Sequence, residues 1–334
     1  MQYLIRRIVL TIPALLGVSL IVFSIMHTIP GDPVQVIFAG TGADPEHREA
    51  MRHELGLDRP LYVQYANYVF DAAQGDFGKS IHFKQPVGQL ILERMPATIE
   101  LTIVSLFITL IVAIPVGIIA SVRRNTVLDY IVMTGATLGI SLPTFWVGIL
   151  MIMLVAVHLG WLPSFGRISY GVELERVTGF YLVDSLLTWN IPAFKDAVAH
   201  LILPSFSLGL ASATFTTRLM RSSMLEEISK GYVNTARAKG LLERNVLTRH
   251  VLRNALIPVL SLIGVMTGSL LGGAVVTETI FAWPGIGRLT IQAINTRDFP
   301  LVQGIILFFA LIRISINLIT DLLYVLIDPR IGNV

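Results

Sequence analysis

Hydrophobic and polar positions fall along this chain in long blocks, without the short periods of a soluble fold. A helix needs about 20 mostly apolar residues to cross a bilayer. Stretches at 8–29, 101–122, 130–157, 197–217 and 254–277 meet that length. A further stretch, 300–327, is interrupted by Arg313, Asn317 and Asp321. Pro13, Pro115, Pro143 and Pro204 fall within these blocks, and lipid-embedded helices tolerate proline where neighbours satisfy the freed carbonyls. The pattern predicts an all-α, polytopic membrane protein with six transmembrane helices. It divides the chain into an N-terminal transmembrane helix (1–30), an extracytoplasmic segment (31–95) and a core of five helices (96–334) with a cytoplasmic loop at 218–253. The first apolar run exceeds the roughly 7–15 residues of a signal-peptide core, and no small-x-small cleavage site follows it. It reads as an uncleaved span.

Composition agrees. Of 334 residues, 54% are hydrophobic and 14% charged, against roughly 25% charged in a soluble domain. There is no cysteine, which excludes disulfides, thiolate metal sites and a cysteine nucleophile. The histidines form no His-x-x-x-His pair on an apolar helix, so no metal site is expected.

The distribution of charge sets a direction. Arg6 and Arg7 precede the first span, and Arg123 and Arg124 lie between the second and third. Arg218, Arg221, Lys230, Arg237, Lys239, Arg244, Arg249 and Arg253 fall between the fourth and fifth, against Glu226, Glu227 and Glu243. With six spans all three groups share one side, and basic loops mark the cytoplasm. Both termini are then cytoplasmic, and 32–94 and 159–196 lie outside. The net charge of +3 reflects this bias and not a nucleic-acid partner. The aromatic-rich "PLYVQYANYVFDAAQGDFG" in the first outer segment predicts partial helix. It fits either a segment packed on the membrane surface or a docking element for something arriving from outside.

Two nucleotide-binding patterns fail. "AQGDFGKS" (73–80) ends like a phosphate loop but has Ala73 at its first glycine position, no preceding strand and an outer location. "GIGRLT" after Pro284 lacks the third glycine of a dinucleotide fingerprint. No hydrolase constellation is present, so the chain is expected to be non-catalytic. Gly264, Gly268 and Gly272 share one helix face and predict close packing against another backbone. Arg313, Asn317 and Asp321 form a polar stripe. An arginine at mid-membrane costs roughly 2.5–3.5 kcal/mol on insertion scales, so the stripe either lines a translocation path or clamps helices together. Arg313 and Asp321 stand about 12 Å apart along the axis, with Asn317 able to bridge.

The loop 218–253 has its own pattern. "SSMLEEISKG" predicts a helix opening on serine caps and an acidic turn. "YVNTARAK" predicts a short helix closed by Gly240, presenting Tyr232, Val233, Thr235 and Ala236 to the cytoplasm. "LLERNVLTRHVLRNALI" predicts helix running into the fifth span up to Pro258. This loop resembles the Glu-Ala-Ala coupling loop of permease subunits of bacterial ABC importers. Asn234, Thr235 and Ala236 occupy the Glu-Ala-Ala positions, and Gly240 the glycine. "HVLR" (250–253) stands where Ile-x-Leu-Pro would be, with the proline missing. The form is that of the dipeptide, oligopeptide and nickel branch. "PGDP" (30–33), "LGLDRPLYVQY" (55–65), "RMPATIELT" (94–102), "SLPTFWVGILMIMLVAVHLGWLPSFG" (141–166), "HLILPSFSLGL" (200–210), "ETIFAWPGIGRL" (278–289) and "DLLYVLIDPRIG" (321–332) extend the resemblance over nearly the whole chain, which is similar to the first of two paired permeases.

The resemblance implies an ABC importer type I permease fold in a bacterial inner membrane. It implies a second homologous permease, two cytoplasmic ATP-binding subunits that carry ATP and magnesium, and an extracytoplasmic solute-binding protein. No cofactor or metal is then bound by this chain. Coupling to the ATPase would fall on Tyr232, Val233, Asn234, Thr235, Ala236, Arg237, Ala238, Lys239 and Gly240, and the candidate path on Arg313, Asn317 and Asp321. Substrates of the branch include di- and oligopeptides, nickel, glutathione and oligosaccharides. Only His27, His158 and His200 lie near the spans, which favours peptides over nickel. An ion-gradient-driven transporter is the alternative of a different class. It would show inverted repeats and buried acids near the midplane.

Overall fold

The computed structural model describes residues 2–28, 45–54 and 58–327. "PGDP" at 30–33 and the chain end from 328 lie outside the described residues, and of Asp321 only the backbone is described. Helices make up the described fold, joined by turns and one isolated antiparallel bridge, Lys79 to Pro86. They are α1 (Gln2–Thr28), α2 (Pro45–Glu54), α3 (Leu61–Ala73), α4 (Val87–Val122), α5 (Val127–Ser141), α6 (Thr144–Met151), α7 (Tyr181–Leu187), α8 (Ile191–Ile228), α9 (Gly231–Ala238), α10 (Glu243–Asn245), α11 (Leu252–Gly273), α12 (Val275–Ile280), α13 (Ile286–Asn295) and α14 (Phe299–Ile327). Wider π-helical turns extend α6 through Ile152–His158 and join α10 to α11 through Val246–Val251.

Among the described residues four helices, Val87–Val122, Ile191–Ile228, Glu243–Gly272 and Phe299–Thr320, are long and apolar enough to cross a membrane. In α1 the apolar stretch is the shorter Thr11–Ile25. The block 130–157, expected as one helix, is broken: α5 and the helix Thr144–His158 meet at 102°. Together they make a fifth span only if the bent pair is one. The cause is local. Pro143 has no N–H to donate and disfavours helical backbone at the residue before it, and Leu142 is extended at φ −85 and ψ 125. Pro13, Pro115, Pro204 and Pro258 stay inside their helices.

The helix expected to open at "SSML" is instead the last part of α8. That helix starts at an Asn190 cap, whose side chain accepts the Ala193 N–H at 3.0 Å, and runs without interruption to Ile228. Serine caps only where the chain is free to leave the helix. Here the preceding turns are already fixed by packing on α4. The two long helices run in parallel, pairing Ser105 with Gly209 and Gly117 with Met220. A Cβ on Gly209 would lie 2.8 Å from the Ser105 carbonyl oxygen, and one on Gly117 2.7 Å from the Met220 Cβ, so glycine is required at this seam. Thr109 Oγ1 seals it, donating to the Gly209 carbonyl at 3.0 Å. Around this pair, Ala97, Leu101, Leu201, Leu208, Leu270, Ala274 and Trp283 form a buried cluster.

The glycine stripe of α11 faces α14 in part. A side chain at Gly264 would collide with Thr320, one at Gly268 would lie 3.7 Å from Ile316, and one at Gly272 would meet nothing. Before α4, α3 lies along the second half of α1. Tyr65 OH donates to the Leu16 carbonyl at 3.1 Å, and His27 Nε2 is 3.2 Å from Gln64 Oε1.

Candidate coupling segment and polar path

The chain leaves α8 through an extended Lys230 (φ −74, ψ 147) and enters α9 at once. At the far end Gly240 takes φ 75. Its N–H donates to the Arg237 carbonyl at 2.9 Å, and the Leu241 N–H to the Ala236 carbonyl at 3.4 Å. This pair of bonds is the glycine-dependent end that satisfies the last carbonyls of a helix.

Val233 and Ala236, one turn apart, were expected to face the cytoplasm. Both are buried, at 0% and 7% exposure, in a cluster with Met220 and Met224 of α8 and Val246, Val251, Ala255 and Val259. An apolar pair three positions apart on a short amphipathic helix turns inward. The outward face is therefore Tyr232, Asn234, Thr235, Arg237, Ala238, Lys239 and Gly240, all exposed. Two polar ties set its angle. Arg237 grips Glu243 with two nitrogens, at 2.7 and 3.1 Å. Tyr232 OH donates to Glu227 Oε2 at 2.7 Å and accepts from Asn254 Nδ2 at 3.1 Å. Burial, then the bond to Glu227, raises the Tyr232 phenol above its usual 10.0, so it remains a donor. The helix is thus attached to both α8 and α11, and displacing it displaces them.

The stripe on α14 behaves differently. Arg313 and Asn317 are exposed and make no hydrogen bond or ion pair with the described residues, so the bridge expected of Asn317 does not form to Arg313. Side-chain statements for Asp321 fall outside the described residues.

Four buried carboxylates tie the fold together. Glu100, on α4 just before the expected start of the second span, pairs with Arg167 of the loop before α7 at 2.6 Å, with side chains 4% and 7% exposed. Arg221, expected only to set topology, instead forks onto Asp129 at 2.6 and 2.7 Å. Glu278 accepts from Thr98 Oγ1 at 2.7 Å and from the Arg288 N–H at 3.0 Å, which caps the start of α13. That accounts for "GIGRL": a Cβ on Gly287 would lie 2.6 Å from the Val275 Cα, and one on Gly285 would strike the Glu278 carboxylate. Asp298 caps α14 and accepts from Ser80 Oγ and from the His82 N–H at 2.9 Å. Ser80, which ends the failed phosphate loop, therefore ties the segment before α4 to the start of α14. At α7, burial alone would raise the Asp184 carboxyl, but bonds from the Thr178 hydroxyl and the Thr178 and Gly179 N–H groups hold it below the usual range.

A family model described as "Binding-protein-dependent transport system inner membrane component" matches residues 113–333, and its N-terminal companion, "Binding-prot-dependent transport system membrane comp, N-term", matches 1–102. The chain is 46% identical over 332 residues to the di/tripeptide transport system permease protein DppB of Pseudomonas aeruginosa, covering 99% of this chain and 98% of that protein. It is 43% identical over 334 residues to the dipeptide transport system permease protein DppB of Escherichia coli K12, with the same coverage of 99% and 98%. It is 44% identical over 317 residues to the probable D,D-dipeptide transport system permease protein DdpB of that strain, covering 95% and 93%. Among solved structures, an inward-facing MetNI methionine ABC transporter superposes with a TM-score of 0.53 at 18% identity, covering 70% of this chain and 94% of that one. At that identity the likeness concerns the fold alone.

Proposed function

The chain belongs to the family of binding-protein-dependent transport system inner membrane components, and on that premise we propose that it is the permease subunit of an ATP-driven importer of dipeptides. It is a non-catalytic membrane subunit. A second permease would complete the translocation path, two ATPase subunits would drive it from the cytoplasm, and a solute-binding protein would deliver peptide from outside. The names of the curated relatives support dipeptides or tripeptides as substrates. The observation that carries the coupling role is the attachment of α9. It hangs beyond the ends of α8 and α11, is fixed to both through Val233 and Ala236, and exposes Tyr232, Asn234, Thr235, Arg237, Ala238, Lys239 and Gly240. Closure of the ATPase dimer against that face would move α4, α8 and α11 together, as packed bundles rock as bodies. The complex of this chain with its partner subunits, in liposomes, should take up a dipeptide only when ATP and the binding protein are both supplied. Uptake that needs an ion gradient and no ATP would overturn the assignment.

The basic segments support an inner-membrane location with residues 218–253 cytoplasmic. Gln74, Glu175 and Ser229 are all exposed, and the native chain has no cysteine, so single cysteines report sidedness cleanly. Gln74→Cys and Glu175→Cys should react with an impermeant maleimide in spheroplasts, and Ser229→Cys should not. Labelling of the third would invert the topology.

Arg313 and Asn317 remain the candidate path, with Asp321 on the same face by spacing. Exposed at membrane depth without a partner among the described residues, Arg313 needs cover from another subunit or from an aqueous path. Arg313→Ala should lower peptide uptake while the complex still assembles and hydrolyses ATP. Lost assembly with unchanged transport per assembled complex would make it an interface residue instead.

A further inference from the structure

Halfway along α8, beside the break in the third block, a cavity of about 260 Å³ opens between three helices. Its walls include Thr144 at the start of α6, Leu208, Ser212 and Phe215 of α8, and Met266 and Ser269 of α11. The hydroxyls are the telling part. Nearby, Thr214, Thr216 and Thr267 each donate to the carbonyl one turn back, at 2.9, 2.8 and 2.8 Å, as hydroxyls in apolar helices commonly do. The hydroxyls of Thr144, Ser212 and Ser269 make no such bond to the described residues, yet they come from three different helices and share one cavity.

The broken backbone leads to the same place. Non-helical backbone at membrane depth is tolerated only where protein buries it or where it lines a water-filled cavity. The break at 141–143 is exposed in this chain, and α6 starts from it at the cavity wall. The volume falls just below the roughly 300–1,000 Å³ of small-molecule sites, and Phe215 and Ser269 are exposed at its mouth.

We propose that this cavity contacts the peptide in transit. The inference rests on the transport reading above and assigns a site within it. A hydroxyl both donates and accepts, so three of them can serve the N–H and C=O groups that every peptide carries, whatever its side chains. Leu208, Phe215 and Met266 form the apolar wall, and methionine adapts to varied shapes. No charged side chain lines the cavity. The peptide's charged ends are not locked there, and conduction requires a site weak enough to release what it binds.

The test uses the complete transporter with its binding protein, its other subunits freed of reactive cysteines, and Ser212→Cys or Ser269→Cys in this chain. Substitution of oxygen by sulfur is nearly isosteric, and the two positions lie on separate helices, so either variant can read the site alone. A small water-soluble methanethiosulfonate is the probe and dialanine the peptide. Both cysteines should react, and reaction should abolish uptake. Dialanine held at about ten times its Kd should slow the reaction about tenfold, while Glu175→Cys in the outer loop should react at an unchanged rate. Rates at both cavity cysteines that ignore dialanine in a complex that transports it would overturn the site. So would cysteines that never react, since that is the behaviour of a packed subunit interface. If the parent complex takes up no dialanine, the transport reading fails and the site with it; that control separates the two failures.

Discussion

Ala236→Glu is expected to abolish peptide uptake and peptide-stimulated ATP hydrolysis while leaving membrane insertion intact. Ala236 sits in a buried apolar cluster with Met220, Met224, Val233, Val246, Val251, Ala255 and Val259. A carboxylate placed there has no partner in that cluster, and leaving a buried charge uncompensated costs several kcal/mol. The cost falls on the docking of an eight-residue helix, held otherwise only by the Tyr232 bonds to Glu227 and Asn254 and the Arg237 grip on Glu243, whereas most of the α4–α8 seam lies away from the cluster. The cheapest escape is for α9 to swing off α8 and α11, taking its exposed face away from the ATPase. Loss of the ATPase subunits on purification should accompany the loss of uptake. Gly240→Val is a milder companion. No atom lies within 4 Å of where its Cβ would be, so the penalty is confined to a left-handed backbone, roughly 1–2 kcal/mol. Arg244→Gln, exposed and outside the helix, should behave as wild type. If the glutamate variant co-purifies with its ATPase subunits and transports normally, α9 is only a basic loop.

Residues 231–240 show what the sequence made legible and where it stopped. A short helix over "YVNTARAK" and its glycine end could be read because they depend on neighbours in sequence: helix-forming alanines between two glycines, and at Gly240 a residue free to take positive φ. Which face turned inward could not be read. That depends on Met220 of α8 and Val259 of α11 joining one buried cluster with it, a fact of packing between helices. The same division runs through the membrane blocks. Their apolar length was visible, but the break at Pro143 was not, since Pro115, Pro204 and Pro258 have the same local chemistry and remain helical. The buried carboxylates were least legible. Glu100 finds Arg167 across 67 residues, Asp129 finds Arg221 across 92, and Ser80 reaches Asp298 across 218. At such separations no periodicity marks the pair. The only local hint was a charge at the edge of an apolar block, which is where Glu100 and Asp129 both lie.

The Glu100–Arg167 pair offers the second large effect. Arg167 donates to Glu100 Oε2 through Nη2 at 2.6 Å and Nε at 3.1 Å, and the other carboxylate oxygen accepts the Leu182 N–H at 2.8 Å. The guanidinium also lies 3.8 Å from the centre of the Tyr181 ring, a cation over an aromatic face. One ion pair thus latches the loop before α7, and the start of α7 itself, onto α4. Trp283 bonds the same stretch of α4 through the Ala97 carbonyl at 2.8 Å, so the latch and the α12–α13 turn share an anchor. Arg167→Met removes one charge and leaves the other buried, which costs about 3–5 kcal/mol, whereas replacing a buried pair by neutral groups of similar size is often nearly neutral. Arg167→Met alone should therefore sharply lower the thermal stability of the assembled transporter, and adding Glu100→Gln should restore much of it. The restoration is the diagnostic part. Substitutions at two independent sites would add their penalties, so a double variant less stable than either single one would mean that the pair is not a charge latch. The readouts of the two predictions also separate. The Glu100–Arg167 latch acts through stability and is no part of the α9 cluster, so complexes that survive should still couple hydrolysis to uptake. The Ala236 variant should show the reverse, a folded membrane core from which the ATPase has been disconnected.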